Sequence, residues 1–248
     1  MGAPRYSIIT VCLNAKEELK KTLYSIEQQT YKKFEWIIID GQSKDGTVDI
    51  VRNHSCVTHL ISEPDEGIYD AMNKGINLAT GDYLLFLNAG DWLYNKDVLR
   101  DAEKYLKADL LVGKLMVIDS QGNYSLREYD KRKIDKKYFY NQTFPHPATF
   151  IKRIIFETYG MYCQNFKIAG DHDFFSRLIT KGVEFYFLPI CVSFFPLNGL
   201  SFKMKHSKLL DKEVKMVRRR NFSFFFRLRM NAIYICKYTT SLSANMLK

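Results

Sequence analysis

Cysteine is sparse and unpatterned: the chain of 248 residues has five, none in a C-x-x-C pair. That usage offers no zinc site and fits a reducing cytoplasm better than a disulfide scaffold. Proline and glycine are few, at six and 13, while 46% of residues are apolar, which excludes a disordered chain. Long apolar runs are missing as well. The longest, residues 185–197, spans 13 residues and includes two prolines. A membrane-spanning helix needs roughly 20. The first residues lack a basic segment followed by an apolar one, so no signal peptide is expected. There is no G-x-G-x-x-G after the first apolar run, and no G-x-x-x-x-G-K-[ST], G-x-S-x-G or H-E-x-x-H anywhere. A dinucleotide site, a P-loop, a hydrolase elbow and a zincin site are therefore not expected.

The net charge of +10 is unevenly placed. Residues 1–202 hold 25 basic and 25 acidic side chains, whereas residues 203–248 hold 12 basic and two acidic ones. A nucleic-acid enzyme would spread basic groups over its groove. Here the body is neutral, and the tail reads as a separate electrostatic device, so no nucleic-acid partner is expected.

Along the chain, residues 5–13 (RYSIITVCL) form a β-branched apolar run that predicts a buried strand. Asn14 and Glu17 have capping-box spacing ahead of a helix carrying Leu19, Leu23 and Ile26. Further strands are predicted over 34–39, 57–61 and 83–87, with helices starting near Thr47 and over 68–79. This alternation predicts a parallel sheet with helices on both faces. Its polar, Asp-bearing loops follow strands one, two and four, where open α/β sheets bind ligands. Residues 110–118 and 124–129 predict a hairpin, 130–141 a mobile Lys- and Tyr-rich loop, and 171–181 a helix.

Five segments in this order carry a resemblance: SIITVCLNAKEELKKTLYSIEQQT, WIIIDGQSKDGT, SEPDEGIYDAMNKGINLATGDYLLFLNAGD, HPATFIKR and IAGDHDFFSRL. Together they resemble glycosyltransferase family 2, over about 80% of the chain. The resemblance implies an α/β fold of the GT-A type, a Rossmann-like, mainly parallel sheet, and transfer with inversion at the sugar carbon. It divides the chain into a catalytic domain over 1–202 and a basic amphipathic tail over 203–248. The nucleotide-sugar half of the domain would cover about 1–95, and the acceptor and base half about 96–202.

The same resemblance assigns residues. Thr10, Val11 and Asn14 would line the nucleotide pocket, and Asp40 would accept a hydrogen bond from uracil unless it is a plain loop carboxylate. Ser43 and Asp45 continue that loop, where Asp45-Gly46 also suits an ordinary turn. Asp70 would touch the base or sugar, although a charge favoured at a helix N-terminus accounts for it nearly as well. The family's D-x-D is altered to Asn88-Ala89-Gly90-Asp91, so only Asp91 keeps a carboxylate. Magnesium or manganese would be held by Asp91, waters and the donor diphosphate, with Asn88 and Ala89 beside them. The alternative is a degenerate site without metal.

Asp171 matches the family's catalytic base, and Gly170 replaces the Glu that usually precedes it. Chemistry requires a carboxylate there, to take the acceptor's proton as its oxygen attacks opposite the leaving diphosphate. Asp173 reads as structural first and as a base second, and His172 as a bystander. His146 would line the diphosphate or acceptor side, or serve the fold. Ser201 ends Asn198-Gly199-Leu200-Ser201, which is similar to a segment closing the family's donor pocket and equally suits a turn.

In the tail, Phe222, Phe226, Met230 and Ile233 fall on one helical stripe edged by arginines, suited to an anionic membrane surface or to packing on the body. The combined expectation is a cytoplasmic enzyme attached peripherally to the inner face of the plasma membrane. It would move a hexosyl or N-acetylhexosaminyl group from a UDP-sugar to a lipid-diphosphate-linked glycan, in O-antigen or exopolysaccharide assembly. The alternatives are a nucleotidyltransferase that makes sugar nucleotides, and a non-catalytic binder of sugar nucleotides or nucleic acid.

Overall fold

Every residue of the first strand is buried, which places it inside a sheet covered on both sides. In the computed structural model, which describes residues 3–52, 54–197, 199 and 207–233, this strand is β1 (Tyr6–Cys12). It is followed by α1 (Lys16–Glu27), β2 (Phe34–Asp40), α2 (Thr47–Arg52), β3 (His59–Ser62), α3 (Ile68–Leu78) and β4 (Tyr83–Phe86). The β-α alternation expected from the sequence is therefore present. β1 pairs in parallel with β2 and β4, and β2 with β3. Alternate residues feed two apolar layers. Ile9, Val11, Ile37 and Ile39 face Met72 and Ile76 of α3, whereas Ile8, Trp36 and Ile38 face Leu19, Leu23 and Ile26 of α1.

The second half adds β5 (Trp92–Leu93), α4 (Val98–Glu103), β6 (Leu110–Ile118), β7 (Tyr124–Arg127), α5 (Lys136–Phe139), β8 (Thr149–Lys152), α6 (Arg153–Tyr159), α7 (Gly170–Thr180), β9 (Phe185–Pro196) and α8 (Lys208–Asn221). The sheet order is β3-β2-β1-β4-β8-β6-β9-β5, with β7 paired to β6. β8 runs antiparallel to both β4 and β6, joining the parallel half to the β6–β7 hairpin. β5 and β8 have two and four residues, too few for a periodic pattern to mark them in sequence.

Two local expectations need correction. Asn14 does not cap α1: Ala15 holds that position without a side-chain bond, and Asn14 sits at φ +48°. Asp45 does the work from a distant loop, its Oδ2 accepting the Lys16 amide at 3.0 Å. Residues 130–141 are not simply a loop. They include α5, and Phe139 and Tyr140 are buried.

The C-terminal stripe also points the other way. Phe222 and Met230 are buried against the body, with Phe226 and Ile233 packed at the edge of the same cluster. Tyr140 meets Phe222 and Phe226 edge-on at 5.4 and 6.0 Å. The stripe expected to face a membrane thus covers an apolar ledge of the domain, because Tyr140 supplies a surface that the tail's own sequence cannot reveal. Lys203 and Lys205, and the chain from 234 to 248, lie outside the described residues.

Buried charges complete the attachment of α8. Glu213, only 2% exposed, accepts the backbone amides of Lys167, Ile168 and Ala169 at 2.8, 2.9 and 2.9 Å. Three donors offset the cost of burying its carboxylate. Asp173 of α7 is buried too, and accepts Arg220 Nε at 3.1 Å and Asn221 Nδ2 at 2.8 Å. α8 is fastened to the start of α7 by the first contact and along its side by the second. Glu213→Ala, which strands three amides, should lower stability by about 3 kcal/mol and Tm by about 6–12 °C. Glu213→Gln, which retains one acceptor oxygen, should lose clearly less in the same thermal melt.

Candidate active site

Parallel pairing brings the carboxyl ends of β1 and β2 to one level, with Cys12 beside Asp40, and the turn after β4 beside them. Loops leaving those ends and the start of α7 enclose a cleft of about 360 Å³. Val11, Asn14, Asn88, Ala89 and Asp91 line it, together with Tyr69, His146, Lys167 and Asp171.

A polar row crosses the floor. Asn88 Nδ2 is 3.2 Å from His146 Nε2, and His146 Nδ1 is 3.9 Å from Asp171 Oδ2. Asp171 Oδ1 accepts the His172 amide at 2.8 Å and lies 3.4 Å from the Tyr69 hydroxyl, which donates to the Ile168 carbonyl at 2.6 Å. Tyr69 also explains Gly170. A Cβ added there would lie 2.6 Å from the Tyr69 ring, so the tyrosine fills the space that a side chain would need. Desolvation holds that phenol well above its ordinary range, so it acts as a hydrogen-bond donor.

The altered acidic motif has a particular electrostatic form. The Asp91 carboxyl is buried, and burial pushes its pKa up to about 7, against the pull of His146 and a backbone hydrogen bond. Asn88 Oδ1 is buried without a hydrogen-bond partner among the described residues. Gly90, at φ +98°, leaves room beside Glu18 of α1: a Cβ there would stand 3.6 Å from Glu18 Cβ. Glu18 lines the same cleft. Among the described residues no group of three or more His, Cys, Asp and Glu side chains is close enough to hold a metal. Fewer protein ligands still suit magnesium, which retains water and takes oxygens from phosphates. An unpartnered amide oxygen beside a carboxylate is compatible with that chemistry.

Other residues assigned from sequence stand behind the cleft. Thr10 is fully buried, donating to the Leu87 carbonyl at 2.7 Å and accepting from Trp36 Nε1 at 2.9 Å. Asp40 is fully buried as well. It accepts the Ser43 amide at 2.9 Å, the Ser62 hydroxyl at 2.7 Å and the Ser43 hydroxyl, so a base can reach it only if a serine rotates away. The Ser43 hydroxyl in turn accepts the Asn14 amide at 2.7 Å. Asp70 closes the start of α3, accepting the Glu66 amide at 3.1 Å and Gln164 Nε2 at 2.8 Å, and it does not line the cleft. Asp173 points away from Asp171, as expected for residues two apart on a helix. His172 is held neutral by burial, which lowers its pKa, and meets the Phe139 carbonyl at 2.7 Å. Asn198, Leu200 and Ser201 lie outside the described residues, whereas Gly199 lines the cleft.

A family model described as glycosyl transferase family 2 matches residues 7–181. The chain belongs to glycosyl transferase family 2. A "PGL/p-HBAD biosynthesis glycosyltransferase" of Mycobacterium bovis BCG is 32% identical over 225 residues, covering 86% of this chain and 83% of that protein. An uncharacterized glycosyltransferase of Methanocaldococcus jannaschii is 28% identical over 75% of this chain and 68% of its own length. Among solved structures, Staphylococcus aureus TarS 1–349 in complex with UDP-GlcNAc superposes with TM-score 0.70 at 18% identity, over 87% of this chain and 64% of that one. The mannosyltransferase PcManGT of Pyrobaculum calidifontis, in complex with GDP-Man and Mn2+, gives TM-score 0.65 at 19% identity, over 86% of this chain and 65% of that one. This family 2 transferase therefore has the GT-A fold.

Two charged cleft residues of the transferase escape a reading of its sequence, Glu18 and Lys167, whereas Tyr69 falls in the 67–70 segment that the resemblance sets beside the donor. Glu18 is one charge among several on α1, and Lys167 precedes the IAGD segment without a pattern of its own.

Asp91 gives a pH test. Its folded-state pKa of about 7 is above the ordinary 3.8, so the stability tied to its proton is fully present below about pH 4 and is lost as pH rises through 7. In chelator, Asp91→Asn should melt a few degrees above the parent at pH 8 and show a much smaller difference at pH 4. Equal differences at both values would show that Asp91 is not destabilised by its charge.

Proposed function

We propose that this glycosyltransferase moves a hexosyl or N-acetylhexosaminyl group from a UDP-sugar to a lipid-diphosphate-linked glycan with inversion, in O-antigen or exopolysaccharide assembly at the inner face of the plasma membrane. The observation that carries the reading is the Asp171 carboxylate, 3.9 Å from His146 in the cleft that Asn88 and Asp91 also line. A nucleotide-sugar donor is supported by the UDP-GlcNAc and GDP-Man held by the two structural neighbours. Among the described residues no helix is long and apolar enough to cross a membrane, so attachment would be peripheral.

In this reading the acceptor hydroxyl gives its proton to Asp171 as its oxygen bonds to the anomeric carbon. The bond from that carbon to the diphosphate oxygen breaks on the opposite face, releasing UDP. The His172 amide and the Tyr69 hydroxyl hold the Asp171 carboxylate in place, with His146 beside its other oxygen. Lys167, the one Lys or Arg side chain among the described cleft residues, supplies positive charge as the diphosphate departs. Asp91 and the free oxygen of Asn88, with Glu18 across from Gly90, would hold a divalent cation. When bound, that ion would neutralise charge developing on the leaving group.

A donor screen following UDP and GDP release, with a synthetic diphospholipid-linked sugar as acceptor, tests the reading directly. Asp171→Asn should cut kcat by about 100-fold or more while the affinity for UDP stays within a factor of about two. Near-normal turnover in that variant would remove Asp171 as the base. Excess chelator should abolish turnover, and Asp91→Ala should remove both the turnover and its dependence on added metal. Full activity in chelator would leave Lys167 as the counter-charge. Release of pyrophosphate from a nucleoside triphosphate and a sugar phosphate would instead favour a nucleotidyltransferase.

A further inference from the structure

The C-terminal helices present a face that neither the cleft nor the core uses. Burial of Met230, with Phe226 and Ile233 packed against the same cluster, fixes the rotation of the helix that begins at residue 224. Phe224, Phe225 and Leu228 consequently point outward, at 60, 80 and 50% exposure. They are consecutive turns of one helix, and exposed apolar groups clustered in this way mark interaction surfaces.

The surroundings are cationic. Lys215, Arg218, Arg219 and Arg227 wall a cavity of about 320 Å³ that also includes Phe224 and Leu228. Residues 214–233 contain six Lys and Arg and no acidic residue. Arg218 is committed to the body, donating to the Tyr140 carbonyl at 2.9 Å and to Asn141 Oδ1 at 2.5 Å. Arg227 Nε is buried without a hydrogen-bond partner among the described residues. Lys215, Arg219 and Arg227 therefore remain available for an anion next to the exposed aromatic side chains.

We propose that this face docks peripherally on an anionic bilayer. Phe224, Phe225 and Leu228 enter the boundary between headgroups and acyl chains, and Lys215, Arg219 and Arg227 meet lipid phosphates. Charge complementarity and the apolar side chains at the rim of the cationic cavity together select a membrane surface. This deepens the preceding reading by naming the surface that would bring the cleft to a lipid-linked acceptor. The buried stripe of Phe222 and Met230 takes no part.

The test is sedimentation of the full chain with vesicles of one part phosphatidylglycerol to three parts phosphatidylcholine, compared with phosphatidylcholine alone. Binding should be at least about tenfold stronger to the anionic vesicles and should weaken with added salt. Phe224→Ser/Phe225→Ser/Leu228→Ser and Lys215→Glu/Arg219→Glu should each reduce that binding by about tenfold or more. Both should keep the parent Tm and the parent turnover on a short soluble acceptor. Undiminished vesicle binding in both variants overturns the proposal. So does displacement by inorganic phosphate at constant ionic strength, which would make the cavity a site for a free anion, or binding of RNA in preference to vesicles. Vesicle binding through this face by a protein that turns over no donor would uphold the docking surface and count against the transfer reaction proposed above.

Discussion

The parallel pairing of β1 on both of its edges is the constraint on which the site depends. β2 and β4 run alongside it in the same direction, so the chain leaves all three strands at the same side of the sheet. The backbone after β1, the 40–43 loop and the 88–91 turn are therefore neighbours, although they are separated by up to about 75 residues. Their contacts tie the loops to one another. Asn14 bonds to Ser43 and Lys44, Asp45 caps α1, and the Thr22 hydroxyl donates to the Asp91 carbonyl at 2.7 Å.

Charge is distributed through the cleft with little self-compensation. Among the described residues, Asp91 is buried without a cationic partner at bonding distance, and Asn88 Oδ1 has no hydrogen-bond partner. Such groups cost free energy when they have no partner, and a cation or a nucleotide-sugar bound as proposed would relieve part of that cost. The surroundings of Asp171 are built differently. Asp171 has a backbone amide, a histidine and a tyrosine around it, a set that orients a carboxylate without neutralising it. The difference between these two groups is the one that the proposed displacement would use, an anion leaving beside Asp91 and Asn88 and a proton passing to Asp171.

The C-terminal segment serves two surfaces at once. Its inward side seals the body through Glu213, Asn221 and Phe222, and the first of these holds the backbone just ahead of Asp171. Its outward side carries the cations and the exposed phenylalanines. Because α8 is fastened to α7, the orientation of the outer face relative to Asp171 is set by packing rather than by a linker.

The sequence by itself determined the sheet's parallel half, the family and the order of the site segments. Those depend on short-range apolar periodicity and on motifs whose spacing is visible in one dimension. It also marked Asp171, His146, Asn88 and Asp91, which the fold brings to one cleft. Tertiary structure decided whatever depends on a distant partner. Asp40 looks like a carboxylate free to meet a ligand in sequence, yet Ser43 and Ser62 occupy it; the structural part read for Asp173 could be named only once Arg220 and Asn221 were seen to fill it. Asn14 has capping-box spacing, but the Asp45 carboxylate reaches α1 first. The direction of the phenylalanines was decided in the same way. A helical stripe specifies which residues share a face, but what covers that face is set by the rest of the chain, here by Tyr140.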